Sequence, residues 1–162
     1  MTDERGLTVA ALGEREMVMT RVFDAPRERV FDALTRPELV KRWLLGPPGR
    51  SMPVCEINLK AGGSYRYVWR RDSDGTDMAM GGVYREVEPP TGYVCSERFE
   101  VSWYPGEALV TAVLVEERGQ TTLTTTIRYE SQAARDGVLK FGIERGVAAS
   151  YDRLDPMLGE PK

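Results

Sequence analysis

The chain has 162 residues, 41% hydrophobic and 29% charged, with a net charge of −3. That length and balance fit one globular domain with its own core. The acidic excess argues against a nucleic-acid face, which needs clustered lysines and arginines. There is no histidine and there are only two cysteines, so neither a Ser-His-Asp nor a Cys-His relay can form, and a metal set would have to rely on carboxylates. No metal and no cofactor are expected.

Met1 to Gly6 is polar with no apolar leader behind it, and no run approaches the roughly 20 apolar residues of a membrane span. The reading is a cytoplasmic protein in which Cys55 and Cys95 are reduced thiols. Residues 1–13 read as a flexible terminus or a short edge segment, and 14–160 as the folded domain. Met17 to Phe23 alternates, with Met17, Met19, Arg21 and Phe23 on one face, which predicts a strand. Pro26 starts a helix that buries Val30, Phe31 and Leu34, and Pro37 starts a second that buries Leu39, Val40 and Trp43. Gly46-Pro47-Pro48-Gly49 ends it.

Six strands follow, at 52–59, 64–70, 78–87, 93–101, 107–116 and 121–129. Gly- and Pro-rich turns such as Ala61-Gly62-Gly63 and Pro89-Pro90-Thr91-Gly92 separate them. Links this short join antiparallel hairpins. Arg70-Arg71 followed by Asp72 and Asp74 is a solvated mixed-charge turn. Ser131 caps a single long helix reaching Leu158, with Leu139, Ile143, Val147, Tyr151, Leu154 and Leu158 on one side. Gly137, Gly142 and Gly146 lie inside it, each costing about 1 kcal/mol against alanine. Two explanations stand side by side: a tight crossing, or space left for a pocket.

The order is strand, two short helices, six strands and a terminal helix. It predicts an α+β helix-grip fold, a curved antiparallel sheet of about seven strands wrapped round the C-terminal helix. Tyr65, Tyr67 and Trp69 share one face of their strand and Met80 lies on the next, while Arg66, Val68 and Arg70 take the solvated side. Glu97 shares the face of Phe99, and Trp43 and Trp103 lie near element ends. With Gly142, Arg145 and Gly146 of the helix, these residues are the candidate ligand-binding set; ordinary core packing is the competing reading. No carboxylate pair has a spacing that demands catalysis, so no catalytic residue is assigned.

Several motifs in order resemble one family. They are Arg21 to Pro26, Arg42-Trp43 leading to Gly46-Pro47, and Gly62 to Tyr67. Asp74-Gly75, then Gly82 to Pro90, and the terminal Tyr151-Asp152-Arg153-Leu154 complete the pattern. It is similar to the proteins related to the C-terminal domain of the activator of heat-shock protein 90 ATPase, in the START-like or SRPBCC superfamily. The resemblance runs over roughly residues 15 to 158. Met52 to Glu56 and Trp103 to Ala108 look like one bacterial subgroup. The chain departs in having Leu44-Leu45 where a second tryptophan commonly follows Trp43. The resemblance implies a helix-grip fold with a mostly apolar cavity under the C-terminal helix.

The leading functional expectation is a module that binds a small hydrophobic or amphipathic molecule without covalent chemistry. The alternatives are a cyclase, dehydratase or hydrolase using a buried carboxylate such as Glu97 with Arg145 or a tyrosine, and a stress-related protein that contacts a chaperone or forms a homodimer through a sheet edge. Neither nucleic acid nor membrane insertion is expected.

Overall fold

The structure, a computed structural model of the chain, describes residues 6–100 and 106–160. The elements are β1 (Thr8–Leu12), β2 (Glu16–Phe23), α1 (Arg27–Thr35), α2 (Pro37–Trp43), β3 (Arg50–Ile57), β4 (Ser64–Arg71), β5 (Asp77–Glu88), β6 (Gly92–Phe99), β7 (Ala108–Glu117), β8 (Gln120–Arg128), α3 (Gln132–Phe141) and α4 (Ile143–Leu158). The eight strands form one sheet in the order β1-β2-β8-β7-β6-β5-β4-β3, every pair antiparallel. The sheet curls around the C-terminal helical segment, as expected.

The alternation of β2 holds as read: Met17, Met19, Arg21 and Phe23 are buried and their neighbours half-buried. Threonines at 121, 122, 124, 125 and 126 suit β8, since β-branched side chains pack well on a pleated surface. Pro53 is accommodated because β3 is an edge strand whose register slips between Ser51 and Val54.

The expected sheet of about seven strands counts eight, because Thr8–Leu12 pairs along β2; of the two readings for the N-terminus, the edge segment applies there. Two expectations need correction. Val68 does not lie on a solvated face: it is buried between Val54 and Ala79, while Arg66 and Arg70 are exposed and paired with Glu100 and Asp77. The terminal helix is two helices. Gly142 adopts left-handed φ 80° and ψ 40°, which ends α3 and starts α4. A residue without Cβ takes that conformation at no steric cost, and it is the common way to close a helix. Gly142 is therefore a joint, and no neighbour crowds it. Gly146 lies where α4 crosses the link between α2 and β3, and an added Cβ would meet Pro47 at an ordinary contact distance of 3.6 Å, so the crossing does not demand glycine there.

That crossing is fastened by hydrogen bonds. The Gly46 N–H donates to Ser150 Oγ at 2.9 Å, and Arg153 donates to the carbonyls of Trp43 and Gly46. The second half of α4 buries Tyr151, Leu154 and Leu158 against Phe23, Val30, Phe31, Trp43, Leu114 and Leu123. Its first half is looser. Ile143 and Val147, with Leu139 of α3, stay half-buried opposite the other half of the sheet.

Candidate functional site

The concave face opposite Leu139, Ile143 and Val147 is a wall of rings. Alternation along β4 turns Tyr65, Tyr67 and Trp69 inward, all at most 9% exposed. Register adds Tyr84 of β5 and Tyr93 of β6. The rings form a continuous chain, with centroids 5.9 Å apart for Trp69–Tyr67, 5.2 Å for Tyr67–Tyr65, 5.4 Å for Tyr65–Tyr84 and 5.7 Å for Tyr84–Tyr93. Offset and edge contacts of this kind are favourable beyond the area they bury.

Glycine permits the close spacing. A Cβ at Gly81 would fall 2.5 Å from the Tyr65 carbonyl oxygen, and one at Gly82 would fall 2.0 Å from that of Ser96. Across this bare stretch of β5 the Tyr65 hydroxyl donates to the Ser96 carbonyl at 2.6 Å. The Trp69 indole N–H donates to the Leu44 carbonyl at 2.6 Å, tying the wall to the end of α2. Leu44 and Leu45 are half-buried against the same wall.

The polar groups on the wall are tuned by enclosure. Burial raises the hydroxyl pKa of Tyr65, Tyr67, Tyr84, Tyr93 and Tyr129 above the ordinary range, so all stay neutral donors. Burial likewise pushes the Cys55 thiol up to about 11 and that of Cys95 to about 12. The negative charge of Glu97 adds to the rise at Tyr65, Tyr67, Tyr129 and Cys95.

Tyr93 is half-buried, and desolvation dominates the rise at its hydroxyl. Cys55, Ile57 and Phe99, which pack on the same wall, also keep partial exposure.

Of the expected binding set, Tyr65, Tyr67, Trp69 and Met80 lie together on this wall and Phe99 packs against it. Met80 sits between Tyr67 and Phe99 in the strand register. Glu97 is half-buried beside them. Trp43 is elsewhere, in the second cluster against Tyr151 at 5.7 Å, its indole N–H donating to the Ala33 carbonyl. Arg145 is exposed on the outer side of α4, since the helix turns it away from Ile143 and Val147. There it lines an open groove of about 920 Å³ with Leu7, Arg21, Glu144, Asp152 and Asp155. Gly142 is the helix joint and Gly146 the crossing point; Trp103 lies outside the described residues. Sequence reading missed Tyr84, Tyr93 and Tyr129 as wall residues. Alternation from Met80 through Gly82 was the available signal for Tyr84.

Among the described residues, no group of three or more His, Cys, Asp or Glu side chains is placed to hold a metal ion. No described helix is long and apolar enough to cross a membrane.

An eight-stranded curled antiparallel sheet gripping a C-terminal helix defines the helix-grip class. Within that class, the chain belongs to the family described as activator of Hsp90 ATPase homolog 1-like protein, whose model matches residues 24–159. Among solved structures it is similar to a Rhodobacter sphaeroides protein, with 29% identity, coverage of 95% of this chain and 98% of that one, and a TM-score of 0.89. Protein Ms6760 of Mycobacterium smegmatis is similar at 23% identity, 96% and 99% coverage and a TM-score of 0.82. A Plasmodium falciparum protein described as an HSP90 activator matches at 20% identity, 91% and 98% coverage and a TM-score of 0.64. The last two likenesses are of fold alone. No curated protein matches the sequence.

Proposed function

We propose that the chain binds a small hydrophobic or amphipathic molecule between the ring wall of β4–β6 and the α3–α4 joint, without covalent chemistry. The observation that carries this reading is the pairing of a deep tyrosine wall with facing side chains that stay half-open: Leu139, Ile143 and Val147. A mostly apolar concavity with a few polar groups is the usual form of a small-molecule site. Tyrosine hydroxyls and Glu97 supply those polar groups, and the protein works in a reducing cytoplasm where both thiols stay free.

The test is intrinsic fluorescence. Trp69 lies on the wall and Trp43 behind the second cluster, so a bound guest shifts or quenches Trp69 emission. Titration with lipids, flavonoids and polyketides is expected to give saturable change with at least one class. No response from any class, with no rise in thermal stability, removes the reading. An enzyme using Glu97 would need a tyrosine partner, because Arg145 lies on the outer groove. Chaperone contact and homodimer formation would fall to the edge strands β1 and β3, which light scattering and co-sedimentation would detect.

A further inference from the structure

The two edges of the sheet are finished differently. The strand order puts β1 at one edge and β3 at the other. An edge strand presents unpaired backbone N–H and C=O groups, which recruit another strand unless something blocks them. β3 is blocked in three ways: Pro53 removes a donor, the register slips between Ser51 and Val54, and α2 packs against the strand. Arg50 and Glu56 add charge along it. β1 has none of these devices. Thr8-Val9-Ala10-Ala11-Leu12 carries no charge and no proline, its pairing with β2 is unbroken, and Leu12 is exposed. Among the described residues no strand pairs with its outer side, and no turn or loop hydrogen bond reaches it.

The strand also complements itself. In an antiparallel pair of β1 strands with Ala10 on the two-fold axis, Val9 lies opposite Ala11 and Thr8 opposite Leu12. Further out Leu7 meets Gly13 and Gly6 meets Glu14, so no like charges come face to face. The neighbouring strand keeps the strip uncharged, with Val18 beside Ala10 and Thr20 beside Thr8 on the outer face. On the inner side Leu7 and Val9 stay half-open along the groove between β1 and α4. The charged residues of that groove, Arg21, Asp24, Glu144, Arg145, Asp152 and Asp155, belong to β2, the residue after it and α4, so none stands on the edge itself.

We infer that β1 is the docking edge for a second copy of this chain, the two β1 strands pairing antiparallel so that two eight-stranded sheets become one. The contact is isologous and uses up the open edge of each copy, while the blocked β3 edges at the far ends stop growth at two. A partner strand shields Leu7 and Val9 from water along the mouth of the groove. The join is short, about 17 Å for a five-residue strand. A small interface of this kind gives a weak dimer, with a dissociation constant on the order of 10–100 μM.

Sedimentation velocity of the full chain, from about 1 to about 500 μM, is expected to show a monomer–dimer equilibrium. Ala10→Lys sets like charges across the axis at an exposed position where an edge lysine is well tolerated, and is expected to weaken association at least about tenfold. Val115→Lys places the same charge on the exposed outer face of β7, away from β1, and is expected to change association less than about twofold. Under mild oxidation, Ala10→Cys is expected to form a disulfide-linked dimer through residue 10 faster than Val115→Cys links through residue 115, read by peptide mapping. A chain that stays monomeric throughout, a dimer as strong in Ala10→Lys as in the wild type, an equal loss in both lysine variants, or assembly beyond two copies each overturns the assignment. Where Ala10→Lys fails to fold by circular dichroism, the cysteine pair decides: faster linkage at residue 10 supports the β1 edge, and linkage no faster than at residue 115 overturns it.

Discussion

Arg21 projects from the inner face of β2 into an otherwise apolar row, between Met19 and Phe23. It is only 6% exposed, stacks near the rings of Phe23 and Tyr151 at 5.4 and 5.9 Å, and reaches Asp152 and Asp155 at 3.0 and 2.6 Å. The stem is packed, and the buried guanidinium reaches out to two carboxylates of α4 that lie nearer the surface. Its partners are 72% and 44% exposed, so water softens the ion pairs and packing supplies much of the stabilisation. Arg21→Ala is expected to destabilise by about 2 kcal/mol in urea unfolding, and Asp152→Asn by no more than about 0.5 kcal/mol. Equal losses would mean that the ion pair, not the packed stem, holds α4 to β2.

The thiols give a second prediction at the same scale. With the Cys55 pKa near 11, only about one thiol in a thousand is ionised at pH 8, so alkylation there is slow and its rate climbs about tenfold per pH unit to pH 10. Cys95, deeper and higher still, is expected to react only on unfolding. Mass spectrometry of timed iodoacetamide quenches separates the two sites; fast labelling of Cys95 in the native protein would contradict its placement.

At the scale of elements, the two helical glycines distinguish a joint from a vacancy. Gly142 is left-handed, and Gly142→Ala should cost about 1 kcal/mol through backbone strain. Gly137 has helical geometry with nothing within 4 Å of an added Cβ, so Gly137→Ala should stabilise by about 0.5–1 kcal/mol. Opposite signs in thermal unfolding are the expected pattern; stabilisation by both would mean α3 and α4 run as one helix. Gly82 is the severe case. An alanine there meets the Ser96 carbonyl oxygen at 2.0 Å, so β5 or β6 must move, at a cost on the order of 3 kcal/mol or more. The strands, hairpins and inward faces were readable because a two-residue period and turn chemistry are local properties. The helix break was not, since apolar spacing continues across Gly142 at three- and four-residue steps.

For the whole molecule, the tyrosines set the alkaline limit. Six of the seven, Tyr65, Tyr67, Tyr84, Tyr93, Tyr129 and Tyr151, have pKa values raised by burial. In the unfolded chain they ionise near pH 10, while the folded state keeps their protons. Above that pH the unfolded state binds fewer protons, so stability is intact below about 10 and falls as pH rises further. Absorbance at 295 nm should therefore rise in one cooperative step that coincides with loss of circular dichroism. Smooth titration of most tyrosines in a folded protein would refute the enclosed wall.

By itself the sequence determined the elements from β2 to β8, their antiparallel hairpins and the inward direction of Tyr65, Tyr67 and Trp69 on β4, because each follows from neighbours a few residues apart. Only the tertiary structure decided that Trp43 and Arg145 leave the wall formed by Tyr65, Tyr67, Trp69 and Met80, and that the first half of the α4 stripe stays loosely covered while the second is packed solid. Those outcomes depend on how α1 and α2 fill one end of the curled sheet and leave the other to the α3–α4 joint, a division of volume between segments more than a hundred residues apart that no local pattern encodes.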